Sequence, residues 1–301
     1  MNEQSVFYIS GSGRSGSTLL ERVLHSSRAV SAIGEFHCLW RLPMADINCS
    51  CGNVLTEDAI WQEILAKAQI SGSDISELSR LENEVSRSGY IARHRFSLAS
   101  LRKEPQVQRF LELQFRIFDA ASSVMNTPVI IDSSKAGPRA WILACQPNMH
   151  IIHLYREPAD VIASWRSRKF DKGLGTDMQR LSVTKAAADW WKAEAMARKL
   201  SGQAPVTFID YEAMCREPRK EVGHLLKALS LESLPPVQWC SDTSFMTGGN
   251  YHSLNGNPDR FYQGEIEISH RDANMKQYSG MERKAIQMAG ALLRTAYPPR
   301  G

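Results

Sequence analysis

Residues 11–18 read GSGRSGST, and what flanks this octet constrains the fold more than the octet itself. Upstream, Val6-Phe7-Tyr8-Ile9 is a short continuous apolar run, the pattern of a strand buried on both faces. Downstream, the segment Thr18 to Leu24 carries Leu19, Leu20, Val23 and Leu24 at helical spacing. In a strand, glycine-rich turn and helix in that order, successive backbone N–H groups turn inward and the positive helix end adds to the field felt by an anion. The match to G-x-x-x-x-G-K-[ST] is imperfect. Ser17 occupies the Lys position, while the basic residue, Arg14, stands three places earlier inside the loop. The plainer alternative is a Gly/Ser-rich connection with no ligand; both flanks and the Ser17 and Thr18 hydroxyls weigh against it.

Further strand-like runs repeat the theme: Val129 to Asp132, Ile151 to Tyr155 and Val206 to Ile209, with a short one at Val30 to Ile33. Short buried strands alternating with helices predict an α/β fold: an open, mostly parallel sheet with helices on both faces, like that of P-loop NTPases. A helical insertion over 57–126, with Ile60, Trp61, Ile64 and Leu65 on one face and a second amphipathic stretch from Val107 to Met125, separates the first strand from later ones. Such an insertion is where an α/β enzyme usually builds a substrate wall or lid. Ser182 to Leu200 reads as another long helix and Glu282 to Tyr297 as the last. From Pro235 to Ser279 periodicity fails, with turn signals at Gly248-Gly249-Asn250, Gly256-Asn257-Pro258 and Gly264. Long irregular stretches in compact folds are more often functional than idle. With no repeat, low-complexity tract or linker, residues 1–301 are expected to form a single domain.

Composition narrows the classes. Of 301 residues 43% are apolar, enough for a real core. Lys and Arg number 36 against 32 Asp and Glu, a surplus of +4, too weak for a general nucleic-acid-binding surface, although a local anionic ligand stays open. Uninterrupted apolar runs fall far short of the roughly 18 residues that cross a bilayer. The opening MNEQSVFYIS has an acidic residue, no basic n-region and no small-residue cleavage site, so no secretory signal is expected. Six Cys in so long a chain do not form a disulfide framework, which predicts a reducing, cytoplasmic setting. Cys49-Ser50-Cys51, with Cys38 and His37 upstream, lacks the Cys-x-x-Cys spacing and an assigned fourth ligand, so no metal is expected. Trp165 and the Trp190-Trp191 pair read as core or helix packing rather than a base-stacking platform.

A second constellation follows the His150–Tyr155 run: Arg156 at the strand's carboxyl end, Pro158 at a helix start, and Ser164 about two turns on. Arg156 and Ser164 can hold a second phosphate, or Arg156 can be a surface charge. Joined with the first loop, this pair resembles the sulfotransferase family that uses 3′-phosphoadenosine 5′-phosphosulfate (PAPS). The resemblance implies that Gly13, Arg14, Ser15, Gly16, Ser17 and Thr18 cradle the 5′-phosphosulfate and that Arg156 and Ser164 grip the 3′-phosphate. It also implies that Tyr211 lies near the adenine and that Arg260 supplies a late 3′-phosphate contact. Arg14 in the loop, with Gly34-Glu35 beyond the first helix, looks closest to the tyrosylprotein branch and to bacterial relatives; most cytosolic members carry Lys. The resemblance is specific near residues 5–35 and 129–169, looser through 205–230 and absent in the insertion. The C-terminal region departs from the Arg-Lys-Gly pattern of cytosolic members.

The implied reaction moves a sulfuryl group from PAPS to an acceptor hydroxyl nearly in line, leaving 3′-phosphoadenosine 5′-phosphate (PAP), through a loose transition state like that of phosphoryl transfer. Arg14 is the candidate for stabilising charge on the bridging oxygen, as an electrostatic group and not an acid. Glu35 is the candidate base, its alternative reading being a carboxylate at a helix N-terminus. His37 and His94 are weaker base candidates. Lys135, in Asp132-Ser133-Ser134-Lys135, can neutralise the sulfate, hold the acceptor or be a solvated loop charge, and Asp132 is expected to cap the following turn. No metal is called for. Two other readings compete: a P-loop kinase or nucleotidase in which Asp132 binds Mg²⁺, opposed by Ser17 at the Lys position, and a non-catalytic nucleotide-binding protein. No motif separates carbohydrate, lipid, peptide or small-molecule acceptors, and none fixes an oligomeric state.

Overall fold

The structure, a computed structural model, describes residues 5–147, 149–171, 175–249, 251–270 and 272–296. Asn250 of the expected turn, Tyr297 at the expected end of the last helix and the first four residues of the chain lie outside these. Five strands form the principal sheet: β1 (Ser5–Gly11), β2 (Val30–Gly34), β3 (Val129–Lys135), β4 (His150–Tyr155) and, later in the chain, β7 (Val206–Asp210), in the order β2-β3-β1-β4-β7. Every pairing in it is parallel. Parallel neighbours need crossovers, and helices supply them: α1 (Ser17–His25) after β1, α8 (Gly137–Leu143) after β3, and α9 (Pro158–Arg166) with α10 (Val183–Leu200) after β4. The open parallel sheet flanked by helices is the fold class the sequence predicts.

The helical insertion follows the short strand β2 and precedes β3. The helices α2 (Cys38–Arg41), α3 (Ala59–Lys67), α4 (Gly72–Val85), α5 (Ser88–Arg93), α6 (Leu98–Leu101) and α7 (Pro105–Met125) all lie between β2 and β3. Each strand serves both faces of the sheet, as its unbroken apolar run requires. On β1, Val6 and Tyr8 face one core with Trp61, Phe110 and Phe118 of the insertion, while Phe7 and Ile9 face another with Leu20 and Val23 of α1. Beyond β7 the chain forms α11 (Tyr211–Arg216) and α12 (Pro218–Ala228) and ends in α13 (Gly280–Ala296), which packs on α9 and α10 around Trp190. The pairs β5 (Phe170–Asp171) with β6 (Thr176–Asp177) and β8 (Ser244–Met246) with β9 (Glu265–Glu267) form small antiparallel ribbons. The second ribbon corrects the reading of 235–279 as wholly irregular; three-residue strands are too short to show alternation.

Two polar clusters lie inside these layers. Ser10 on β1, His153 on β4 and Glu194 on α10 form a buried chain, with Ser10 Oγ 2.8 Å from His153 Nδ1 and His153 Nε2 2.9 Å from Glu194 Oε1. Arg139 of α8, fully buried, pairs with Asp132 at 2.9 Å and with Glu82 of α4 at 3.4 Å. The rings of Phe36, Trp40 and Phe110 surround its guanidinium. Burying a cation is tolerable only with partners of opposite charge, and here two carboxylates from separate elements supply them.

Candidate active site

A cavity of about 710 Å³ opens at the carboxyl edge of the sheet, within the size range of small-molecule sites. Each of the five strands delivers a residue to it. β1 leads into Gly13–Thr18, β2 into Glu35, β3 ends on Lys135, β4 leads into Arg156 and β7 into Tyr211. The chain reverses its direction of travel across the sheet at β1, where β3 lies on one side and β4 on the other, and such switch points are where open α/β sheets bind ligands.

The loop is shaped by two left-handed residues, Arg14 (φ 71°) and Gly16 (φ 99°). Gly16 tolerates this without cost, whereas Arg14 is strained, and strain of this kind clusters at functional sites. Gly16 also stands where a Cβ would fall 2.3 Å from the Tyr211 ring, and a Cβ on Gly13 would fall 2.4 Å from Trp165. α1 begins at Ser17 with no side chain capping it and no acidic residue in its first turn, so its leading N–H groups face the cavity with the helix's partial positive charge. The Arg14 guanidinium lies 5.3 Å above the Trp165 ring. Partial burial lowers its pKa from the ordinary value against the pull of Glu35, Asp259 and Asp171, yet an arginine so placed keeps its charge at neutral pH.

The two sequence constellations meet. Arg156 Nη1 donates to the Arg14 carbonyl at 2.9 Å, and its guanidinium sits 4.3 Å over the Tyr211 ring. Trp190, buried in the core, donates its indole N–H to the Arg156 carbonyl at 2.8 Å and fixes that turn from behind. Ser164 lines the same cavity. Burial pushes the Tyr211 phenol above its usual range and raises its neighbour Glu212 to about 7. Several buried polar atoms here have no partner: Arg14 Nε, Arg156 Nε, Ser12 Oγ and Ser15 Oγ. Buried donors are nearly always satisfied, so the two unpaired guanidinium nitrogens of cavity-lining residues mark where a polar ligand belongs.

Across the cavity Lys135 Nζ donates to Glu35 Oε1 at 2.5 Å and to the Ser133 carbonyl at 3.2 Å. Lys135 has φ 69°, in the left-handed region that residues other than glycine seldom adopt. The backbone of Glu35 is pinned from a distant part of the chain, its N–H donating to the Leu254 carbonyl at 2.8 Å while Leu254 N–H returns to Ile33. Gly34 is obligatory there: φ is 72°, and a Cβ would lie 2.2 Å from Ser253 Oγ.

Not every sequence candidate reaches the cavity. Ser15 is buried under the loop, and Arg260 is fully buried with Nη1 on the Gly256 carbonyl and Asp171; neither lines the cavity. The Nη1 bonds of Arg260 brace residues 256–260 from behind the cavity wall. His94 pairs with Ser100 in the insertion, and His37 is buried, with its imidazole held neutral by that burial; neither lines the cavity. Asp132 caps its turn as expected, accepting from Ser134 N–H at 2.9 Å, and its other oxygen pairs with Arg139. Fully buried and so committed, it is no Mg²⁺ ligand for the cavity. Trp165, read as packing, is a cavity wall.

Sequence reasoning missed Arg22, Lys169, Asn257 and Tyr262, which also line the cavity. Arg22 donates to the carbonyls of Asp259 and Tyr262 and so holds the late loop against α1. Its position on the helix, one turn past Thr18, was the available signal. No residue of 57–126 is among the cavity-lining residues; the walls come from 164–178 and 256–269.

A profile described as "Sulfotransferase family" matches residues 7–236. No curated protein matches. Among solved structures, the sulfotransferase domain of the olefin synthase of Synechococcus PCC 7002 is 18% identical, with 99% of this chain and 97% of that one covered and a TM-score of 0.49. The sulfotransferase domain from the curacin biosynthetic pathway is 18% identical, with 99% and 98% covered and a TM-score of 0.48. Sulfotransferase STF9 from Mycobacterium avium is 12% identical, with 100% and 78% covered and a TM-score of 0.48.

Proposed function

The chain belongs to the sulfotransferase family, and from that premise we propose that it moves a sulfuryl group from PAPS to an acceptor hydroxyl, releasing PAP, without a metal ion in the chemical step. The observation that carries this reading is the 2.9 Å bond from Arg156 to the Arg14 carbonyl. It brings two anion-binding turns, 142 residues apart in sequence, close enough for one nucleotide phosphorylated at both ends of its ribose. The unpaired Nε donors of Arg14 and Arg156, two residues that line the cavity, fit such a polyanionic ligand.

When bound, PAPS supplies the activated sulfuryl group; the rest is done by this chain. The loop N–H groups with the Ser17 and Thr18 hydroxyls hold the 5′ end, and Arg156 with Ser164 holds the 3′ end, Tyr211 lying against Arg156 at the nucleoside. Arg14 stabilises charge that grows as the bond to the leaving phosphate breaks, a contact stronger in the transition state than before it. Glu35 accepts the acceptor's hydroxyl proton, and Lys135 orients that carboxylate through their ion pair. Lys135 also offsets charge on the transferring group. The chain acts as one domain, in the reducing cytoplasmic setting its sequence predicts. Lys169, Asn257 and Tyr262 line the same cavity and are the walls offered to the acceptor.

Incubation with ³⁵S-labelled PAPS and a panel of alcohol, phenol, carbohydrate and peptide acceptors, without added Mg²⁺, tests the proposal. Label transferred to at least one acceptor, with PAP formed in equal amount, supports it. Transfer of phosphate from ATP–Mg²⁺, with no sulfuryl transfer, overturns it.

A further inference from the structure

Outside the cavity, the fold gathers four side chains able to bind a metal from two distant stretches of chain, residues 49–58 and His252. Cys49, Cys51, Asp58 and His252 each offer one donor atom, and these atoms lie within 4.8 Å of one another. His252 Nδ1 is 2.8 Å from Asp58 Oδ2 and 3.5 Å from Cys49 Sγ, and Cys51 Sγ is 3.2 Å from Asp58 Oδ2. A tetrahedral ion about 2.3 Å from sulfur and about 2.0 Å from nitrogen or oxygen sets its sulfur and nitrogen ligands about 3.5 Å apart, the spacing seen between Cys49 and His252.

Each ligand is held by its backbone. Residues 48–54 form a tight knuckle in which Asn48 bridges Val54, Cys49 N–H donates to the Asn53 carbonyl at 2.9 Å, and Gly52 (φ 103°) makes the reversal. Asp58 caps α3: its Oδ1 accepts from the N–H groups of Ile60 and Trp61, which turns Oδ2 toward the sulfurs. Segment 251–254 is tied to the knuckle by Ser50 N–H to the Ser253 carbonyl at 2.9 Å and by Ser50 Oγ to the Tyr251 carbonyl, while Trp61 Nε1 holds the His252 carbonyl. Cys49 and Asp58 are fully buried and the His252 side chain is 13% exposed, while Cys51 closes the cluster on its solvent side.

We propose that Cys49, Cys51, Asp58 and His252 bind one zinc ion that clamps the insertion to the 251–254 segment. Two thiols, an imidazole and a carboxylate in a closed tetrahedral set suit Zn²⁺ and fill its coordination, which marks a structural site rather than a catalytic one. On binding, both thiol protons leave to solvent, the sulfurs ligate as thiolates and His252 ligates through the Nδ1 lone pair with its proton on Nε2. The clamp acts next to the cavity, because Leu254, two residues past His252, holds the Glu35 backbone. The sequence reading grouped Cys49 and Cys51 with Cys38 and His37; the partners the fold brings are instead Asp58 and His252, the latter some 200 residues away and invisible to spacing rules. This inference stands apart from the sulfuryl-transfer reading, since it is read out by metal content.

The test is elemental analysis of the purified full chain, expressed with zinc in the medium and desalted without chelator, beside Cys51→Ser, His252→Gln and Asp58→Asn. Asn keeps the helix cap while removing the anionic ligand, so its folding, followed by circular dichroism, separates metal loss from collapse. The expected result is one zinc per chain in the parent protein, loss of zinc in Cys51→Ser and His252→Gln, and reduced occupancy in a folded Asp58→Asn. Cobalt(II) replacement should give sulfur-to-cobalt charge-transfer bands in the parent protein that disappear in Cys51→Ser. A parent protein free of zinc, zinc retained by the folded variants, or a Cys49–Cys51 disulfide found by peptide mapping overturns the proposal.

Discussion

Three side chains at the cavity divide the proposed work, and each can be removed without the others. Arg14→Ala should lower turnover about 10²–10³-fold, the usual loss for one preorganised contact to developing charge, while leaving PAP binding partly intact through Arg156. A steady-state assay with PAP titration checks it, and near-normal turnover would reject the role. Glu35→Gln is isosteric and keeps the site's shape, so PAPS affinity should be preserved while transfer is abolished; an active Gln variant would move the base role elsewhere. Arg156→Ala should weaken donor binding and remove the preference for PAP over 5′-AMP, measured by calorimetry. Arg14, Arg156 and Ser164 were legible because the first two stand in turns just after strand ends and Ser164 lies about two helical turns beyond Arg156. Arg22, Lys169 and Tyr262 were not, since a cation on a helix face or a tyrosine in a loop has no local pattern that separates a cavity wall from solvated surface.

At the scale of elements, the strands and long helices follow from apolar periodicity, and β1, β4 and α10 fall within a residue or two of where it puts them. What periodicity does not carry is which elements meet. Nothing near Arg139 in sequence announces that Glu82 of α4 and Asp132 of β3 share its guanidinium in a fully buried cluster with Trp40. Arg139→Leu should therefore destabilise by about 3–5 kcal/mol, because two carboxylates stay buried without their cation. Urea unfolding measures it, and a loss under about 1 kcal/mol would mean the pair is solvated. At the end of α1, His25 is buried beside Tyr251 with Nε2 on the Gly249 carbonyl and Nδ1 near the Ala32 N–H. Burial lowers its pKa to about 4. Below about 6.5 the unfolded chain takes up a proton that the folded chain refuses until near pH 4, so stability falls as pH drops through that window and is intact above it. The full effect is about 3 kcal/mol. His25→Gln should flatten this limb of the stability curve between pH 6.5 and 4; an unchanged slope would assign the acid sensitivity to other groups.

For the whole molecule, the sheet acts as a collector: five parallel strands end at one edge, and the turns that follow them form one cavity from residues scattered between 13 and 269. Long-range closure is what a linear reading lacks. The segment 251–257, which fixes Glu35 and walls the cavity, lies in a stretch without periodicity, so its part could be seen only once the fold had brought it beside β2. The same closure places the insertion away from the cavity-lining residues, although its position in the chain pointed to a wall or lid. The central claim is that the cavity is built for a nucleotide phosphorylated at both the 3′ and 5′ positions. Thermal unfolding with PAP and, separately, with ATP plus Mg²⁺ puts that claim at risk in one experiment: PAP alone should raise the midpoint strongly, by about 2.7 kcal/mol of stabilisation at a hundredfold excess over its Kd, with little response to ATP–Mg²⁺. Strong stabilisation by ATP–Mg²⁺ with none from PAP would contradict it.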